Sequence, residues 1–116
     1  MKTILIAEDN DSNFILMSYL LKKQYSIIRA INGKEAVECA KKGGIDIILM
    51  DIKMPEMDGL EATRIIKQTQ PNMPIIALTA NAFESDRDQA FEAGCDDFLS
   101  KPVNAEVCLA TIAKYI

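Results

Sequence analysis

The strongest constraint on this chain is an alternation. Five short runs of apolar and β-branched residues, Thr3–Ala7, Ser26–Ile31, Ile45–Met50, Pro74–Leu78 and Asp97–Leu99, are separated by segments with helical spacing. The first, third and fourth runs are nearly continuous in apolar character, as expected of parallel strands covered on both faces. The second and fifth are weaker and predict edge or near-edge strands. Asn32-Gly-Lys-Glu35 and Asp58-Gly-Leu-Glu61 have the capping-box form, an N-cap acceptor with Glu three residues on. Asn104, ahead of Ala105-Glu106, is another helix start. Gly43, Gly94 and Pro71 mark helix ends. Strand and helix repeated five times with short links predict one α/β domain over residues 1–116. Its sheet is parallel, with helices on both faces and right-handed crossovers.

Composition narrows the function. Nearly half the chain, 49%, is hydrophobic, enough for a core without disulfide or metal staples. No run is long enough to span a bilayer, and the apolar stretch after Lys2 is too short for a signal peptide. Cys39, Cys95 and Cys108 are widely spaced and odd in number, which predicts packing side chains in a reducing compartment, the cytoplasm. A net charge of −4 argues against direct DNA binding. The sequence contains no histidine.

In an open parallel α/β sheet, ligands bind beyond the carboxyl ends of the strands, where strand order reverses. Here the first run leads into Glu8-Asp9-Asn10, the third into Asp51, the fourth into Thr79 and the fifth into Ser100-Lys101-Pro102. The second, ending Ala30-Ile31-Asn32, offers no charge or hydroxyl. One edge is therefore expected to gather three carboxylates, a hydroxyl and an ammonium. Close carboxylates repel, and a hard divalent cation relieves them. Oxygen ligands without His or Cys suit Mg²⁺, with Mn²⁺ able to substitute. Lys101 and Thr79 add a cation and a donor for phosphoryl oxygens. The set describes phosphoryl transfer, with an aspartate able to serve as nucleophile. Gly59, just past the Asp58 cap, is expected where backbone segments pack closely.

The ordered set "ILIAEDN", "IILMDIKMPEMDGLEA", "IIALTA" and "FLSKPV" resembles the receiver domain of two-component response regulators, over the whole chain and at the family's usual spacing. The resemblance implies a flavodoxin-like sheet of order 2-1-3-4-5. It implies that Asp51 accepts a phosphoryl group from a phosphohistidine. Asp9 and Asp51 hold Mg²⁺, with Glu8 acting largely through water and the Lys53 carbonyl as a further ligand. Thr79 and Lys101 contact the phosphoryl group, Phe98 stands at the aromatic switch position, and the Lys101-Pro102 bond is usually cis. Lys53 and Asn81 border the path of the water that ends the phosphorylated state.

Without histidine the chain cannot carry its own phosphohistidine, so the donor is a histidine kinase, a histidine phosphotransfer protein or a small phosphodonor. Helix one, expected over Ser12–Lys23, should turn Leu16, Met17, Leu20 and Leu21 toward the sheet. Ile15 and Tyr19, with Phe14 at the boundary, then form an apolar patch beside Asp9 on which the donor docks. "EDNDSN" resembles receivers joined to hybrid histidine kinases, whereas Met1 leading straight into strand one favours a stand-alone chain. The output target is a protein of unspecified identity. The edge chemistry alone also admits a Mg²⁺-dependent phosphatase with Asp51 as nucleophile. That reading lacks a second acid placed as general acid and an insertion long enough for a lid. A module that has lost phosphorylation is disfavoured because all five key residue types remain.

Overall fold

The structure is a computed structural model that describes residues 1–80 and 84–116, with 84 and 85 described by backbone alone. Its elements run β1 (Thr3–Ala7), α1 (Asp11–Leu21), β2 (Ser26–Ala30), α2 (Gly33–Lys42), β3 (Ile47–Asp51), α3 (Gly59–Thr69), β4 (Ile75–Thr79), α4 (Glu84–Ala93), β5 (Asp97–Ser100) and α5 (Ala105–Ala113). All four strand pairings are parallel, in the order β2-β1-β3-β4-β5. Strand order and edge placement match the sequence reading. β3 starts two residues later than expected, and β3 and β4 each extend one residue further, so Asp51 and Thr79 lie within their strands.

Side chains alternate across the sheet and build two apolar layers. Leu5, Ala7, Ile48, Met50, Ile75 and Ala77 pack under α2, α3 and α4 through residues such as Ala36, Ile66 and Ala90. Ile4, Ile6, Ile47, Leu49, Ile76 and Leu78 pack under α1 and α5 through Met17, Leu21, Cys108 and Ile112. Because β1, β3 and β4 are covered on both sides, their continuous apolar character follows. Cys95 and Cys108 are buried and Cys39 half-buried, all as free thiols. Burial pushes the Cys95 and Cys108 thiols up to about 11.

Helix starts follow the caps. Asn10, Asn32, Asp58 and Asn104 each accept, through the side-chain oxygen, the backbone N–H three residues on, at 2.9, 2.8, 2.9 and 3.1 Å. In α2 the return bond of the box is shifted: Glu35 accepts from the Ile31 N–H at 3.0 Å, one residue before the cap.

One expectation about α1 is corrected. Met17 and Leu21 are buried as anticipated and Leu20 is partly covered, but Leu16 is 50% exposed. The buried arc is rotated toward Phe14 and away from Leu16. α1 is apolar on nearly every side, so hydrophobic periodicity alone does not select its inner face.

Candidate functional site

The carboxyl ends of β1, β3, β4 and β5 converge, and with them Glu8, Asp51, Thr79 and Lys101. Register explains the convergence: Ala7 is level with Met50, Asp51 with Leu78 and Thr79 with Ser100. Glu8, Asp9 and Asp51 each present a carboxylate oxygen, all within 4.8 Å of one another. Glu8 is fully buried, Asp51 is 6% exposed and Asp9 is exposed. Asp51 is thus buried rather than open to solvent at the sheet edge, and it is paired. Lys101 Nζ donates to Asp51 Oδ2 at 2.8 Å and to Glu8 Oε1 at 2.6 Å. The other Asp51 oxygen accepts from the Lys53 backbone N–H at 3.1 Å.

Charge in this cluster is unbalanced, with three carboxylates against one ammonium. Burial, and then the hydrogen bond with Asp51, raise Glu8 to about 7 despite the opposing pull of Lys101. Burial alone disfavours the Lys101 ammonium, but its hydrogen bonds to Asp51 and Glu8 outweigh this and raise its pKa. Beside the acids lies a buried hydroxyl, Thr79 Oγ1, with no hydrogen-bond partner among the described residues. A buried donor left without a partner is costly, so this hydroxyl is available to an acceptor that enters the site.

The turn after β3 is held by close backbone contacts. A Cβ on Gly59 would stand 2.1 Å from the Asp51 carbonyl oxygen, so the expectation for this glycine holds. The Gly59 N–H donates to the Ile52 carbonyl at 3.2 Å. A Cβ on Gly33 would meet the Met57 carbonyl oxygen at 2.3 Å, and the Gly33 N–H donates to that oxygen at 2.8 Å. Glu56 takes a left-handed φ of 65°, and Asn32 Nδ2 donates to its carboxylate at 3.3 Å. The Lys101-Pro102 bond is cis.

Two features of this edge were not read from the sequence. The start of α2, through Asn32 and Gly33, supports the β3–α3 turn. Arg29 of β2 reaches the β1–α1 turn, donating to the carbonyls of Glu8 and Asp9. The available signal was an arginine inside a weak edge strand neighbouring the acid-bearing one.

Lys53 is exposed on the β3–α3 turn. Phe98 is half-buried, its ring edge-on to Phe91 at 6.1 Å and 5.9 Å from the Arg87 guanidinium. Ile15 and Tyr19 are 56% and 67% exposed, and Leu16 joins them. Phe14 is half-buried beneath the Arg29 guanidinium at 4.6 Å. Asn81 lies outside the described residues.

An all-oxygen acid cluster with no imidazole or thiolate donor fits a hard cation such as Mg²⁺, which typically takes one or two carboxylates and keeps waters. Residues 4–113 match the family model described as the response regulator receiver domain. The polar-differentiation response regulator DivK of Brucella anthropi is 37% identical over 99% of this chain and 96% of its own length. Hybrid signal transduction histidine kinase B of Dictyostelium discoideum is 41% identical over 97% of this chain, which spans only 6% of that relative's length. Among solved structures, the receiver domain of Ssk1, co-crystallised with the histidine phosphotransfer signalling protein Ypd1 of Saccharomyces cerevisiae, superposes with a TM-score of 0.92. It is 33% identical, over 98% of this chain and 88% of that one. The chain belongs to the response regulator receiver domain family of two-component signalling systems.

Proposed function

We propose that this chain is a phosphorylation-controlled switch in which Asp51 takes a phosphoryl group from a phosphohistidine. The observation that carries the reading is the pairing of Asp51 with Lys101 inside an all-oxygen acid cluster, beside a Thr79 hydroxyl with no partner among the described residues. A carboxylate oxygen of Asp51 attacks phosphorus in line. The P–N bond to the donor's imidazole breaks, and its electron pair stays on that nitrogen. Asp9, Asp51 and the Lys53 carbonyl, with Glu8 through water, would hold Mg²⁺ or Mn²⁺, and the bound cation would supply the charge neutralisation that lets two anionic groups meet.

Lys101, already on an Asp51 oxygen, then bonds a phosphoryl oxygen, and the Thr79 hydroxyl donates to another. The chain's own chemistry is this transfer, followed by hydrolysis of the aspartyl phosphate. In the second step water attacks phosphorus, the P–O bond to Asp51 breaks, and inorganic phosphate leaves. Lys53 and Asn81 border the water's path and set the lifetime. Movement of Thr79 toward the phosphoryl group gives Phe98 a reason to turn inward, away from Phe91. The surface it reshapes includes an adjoining groove of about 350 Å³ lined by Phe98, Leu99, Pro102 and Val107.

The donor is a histidine kinase or histidine phosphotransfer protein of the cytoplasm. Its docking patch is Ile15 and Tyr19, extended by Leu16 and bordered by Phe14, on a helix that begins beside Asp9. Ssk1's receiver binding a histidine phosphotransfer protein supports a partner of this kind. The test is transfer from a histidine phosphotransfer protein labelled on its imidazole. With Mg²⁺ the label should move to this chain and not to Asp51→Asn. No transfer to the unmodified chain, or equal transfer to the variant, overturns the reading.

A further inference from the structure

Arg29 is the fourth residue of the edge strand β2, where a charge ordinarily points to water and discourages strand pairing. Here the side chain is only 25% exposed and lies along the sheet edge toward the β1–α1 turn. Its Nε and Nη2 donate to the Glu8 carbonyl at 3.2 and 3.1 Å, and Nη2 reaches the Asp9 carbonyl at 3.4 Å. Nη2 also pairs with Asp11 Oδ1 at 2.8 Å, and the guanidinium stacks over the Phe14 ring. One side chain therefore grips residues on both sides of Asp9, from the end of β1 into the first turn of α1.

We propose that Arg29 is a positioning residue that sets the Mg²⁺ affinity of the acid cluster. The inference rests on the metal reading above. Asp9 is the exposed member of the cluster and sits on a turn, whereas Glu8 and Asp51 are fixed by burial. Carbonyls ahead of a helix have no partner in its ladder. A planar guanidinium fork can take two neighbouring carbonyls at once, which an ammonium cannot do with the same geometry. Held this way, the Asp9 carboxylate stays within reach of the other two before a cation arrives. Ordering that metal binding would otherwise have to supply is already in place.

Charge and geometry predict opposite signs, which makes the role testable. As a cation near the cluster, Arg29 repels Mg²⁺, so on charge alone its removal should tighten binding. As a positioning residue, its removal should loosen binding, because groups that orient metal ligands typically contribute about 10- to 100-fold in affinity.

The test is a Mg²⁺ titration of the wild-type chain, Arg29→Gln and Arg29→Lys, followed by calorimetry and by the amide shifts of residues 8–11 and 51–53. Thermal melts would confirm that each variant is folded at the assay temperature. Arg29→Gln should bind Mg²⁺ about tenfold more weakly, at the lower end of that range because the turn is partly solvated. Arg29→Lys keeps the charge and loses the fork, so it too should bind more weakly than wild type, about threefold by the same reasoning. Unchanged or tighter binding by Arg29→Gln overturns the proposal, as does Arg29→Lys matching wild type. Should Arg29→Gln not fold, the Lys variant decides alone. A wild-type chain with no response to millimolar Mg²⁺ sinks the metal reading itself, which is a separate outcome.

Discussion

Removing the ammonium of Lys101 exposes how the site is balanced. Lys101 Nζ is the cation bonded to both Glu8 and Asp51, whose side chains are 1% and 8% exposed. In Lys101→Met the packing of the stem is kept and two buried carboxylates lose their counter-ion. Breaking a buried pair from one side costs about 3–5 kcal/mol. For a domain of this size, about 4 °C of melting temperature accompanies each kcal/mol, so metal-free Lys101→Met should melt roughly 12–20 °C below wild type.

The loss should depend on pH. Glu8 stands at about 7, above its ordinary carboxylate value of 4.5. Between those values the native chain holds a proton that the unfolded chain has released. The contribution of Glu8 to metal-free stability is therefore fully present below the lower value and is lost as pH rises through about 7. Without Lys101 the charge opposing this rise is gone, Glu8 holds its proton to higher pH, and the falling window lengthens. The deficit of Lys101→Met should be smallest near pH 5 and clearly larger near pH 8, above the wild-type Glu8 value of about 7. Mg²⁺ should narrow it, since the more negative cluster gains more from the cation. Scanning calorimetry from pH 5 to 8, with EDTA or Mg²⁺, measures all three effects. A metal-free melting temperature within about 2 °C of wild type near pH 8 would refute the assignment of Lys101 as counter-ion to this cluster.

Three further outcomes follow from other parts of the molecule. Ile15→Ala combined with Tyr19→Ala should slow transfer from a histidine phosphotransfer protein severalfold and leave labelling by acetyl phosphate unchanged; equal loss with both donors would place the pair in the fold instead. Thr79→Val replaces a buried hydroxyl with no partner among the described residues by a methyl and should stabilise the unphosphorylated chain by about 1 kcal/mol in urea unfolding, while abolishing the shift changes induced by a beryllofluoride mimic. Gly59→Ala drives a Cβ into the Asp51 carbonyl, a backbone contact with no flexible side chain to yield, and should cost about 3 kcal/mol by calorimetry.

Much of this architecture could be read from the chain because parallel strands convert sequence order into spatial position. Asp51, Thr79 and Lys101 are far apart in sequence, yet each follows or ends an apolar run, and topology brings such ends together. Gly59 was legible for a similar local reason, since a glycine directly after a cap and a turn has few uses besides close approach. Leu16 was not, because α1 is apolar around its circumference and its rotation is settled by α5 and the sheet. Arg29 was hidden because its partners are backbone carbonyls on the preceding turn. The reach of a long side chain across a sheet edge leaves no periodic trace. The pairing of Lys101 with both Glu8 and Asp51 was hidden in the same way, although its place at the edge was not. The left-handed Glu56 had only the turn residues around it as a signal, and its partner Asn32 is more than twenty residues away in sequence.

The most direct measurement is intact-mass and peptide analysis of the chain after incubation with Mg²⁺ and acetyl phosphate. One acid-stable, base-labile phosphoryl group per molecule should appear, localised to Asp51 by borohydride trapping, and it should be missing from Asp51→Asn and from samples held in EDTA. A phosphoryl group on any other residue, one retained in Asp51→Asn, or none under conditions where Mg²⁺ is shown to bind would contradict the account of Asp51 as the phosphoacceptor.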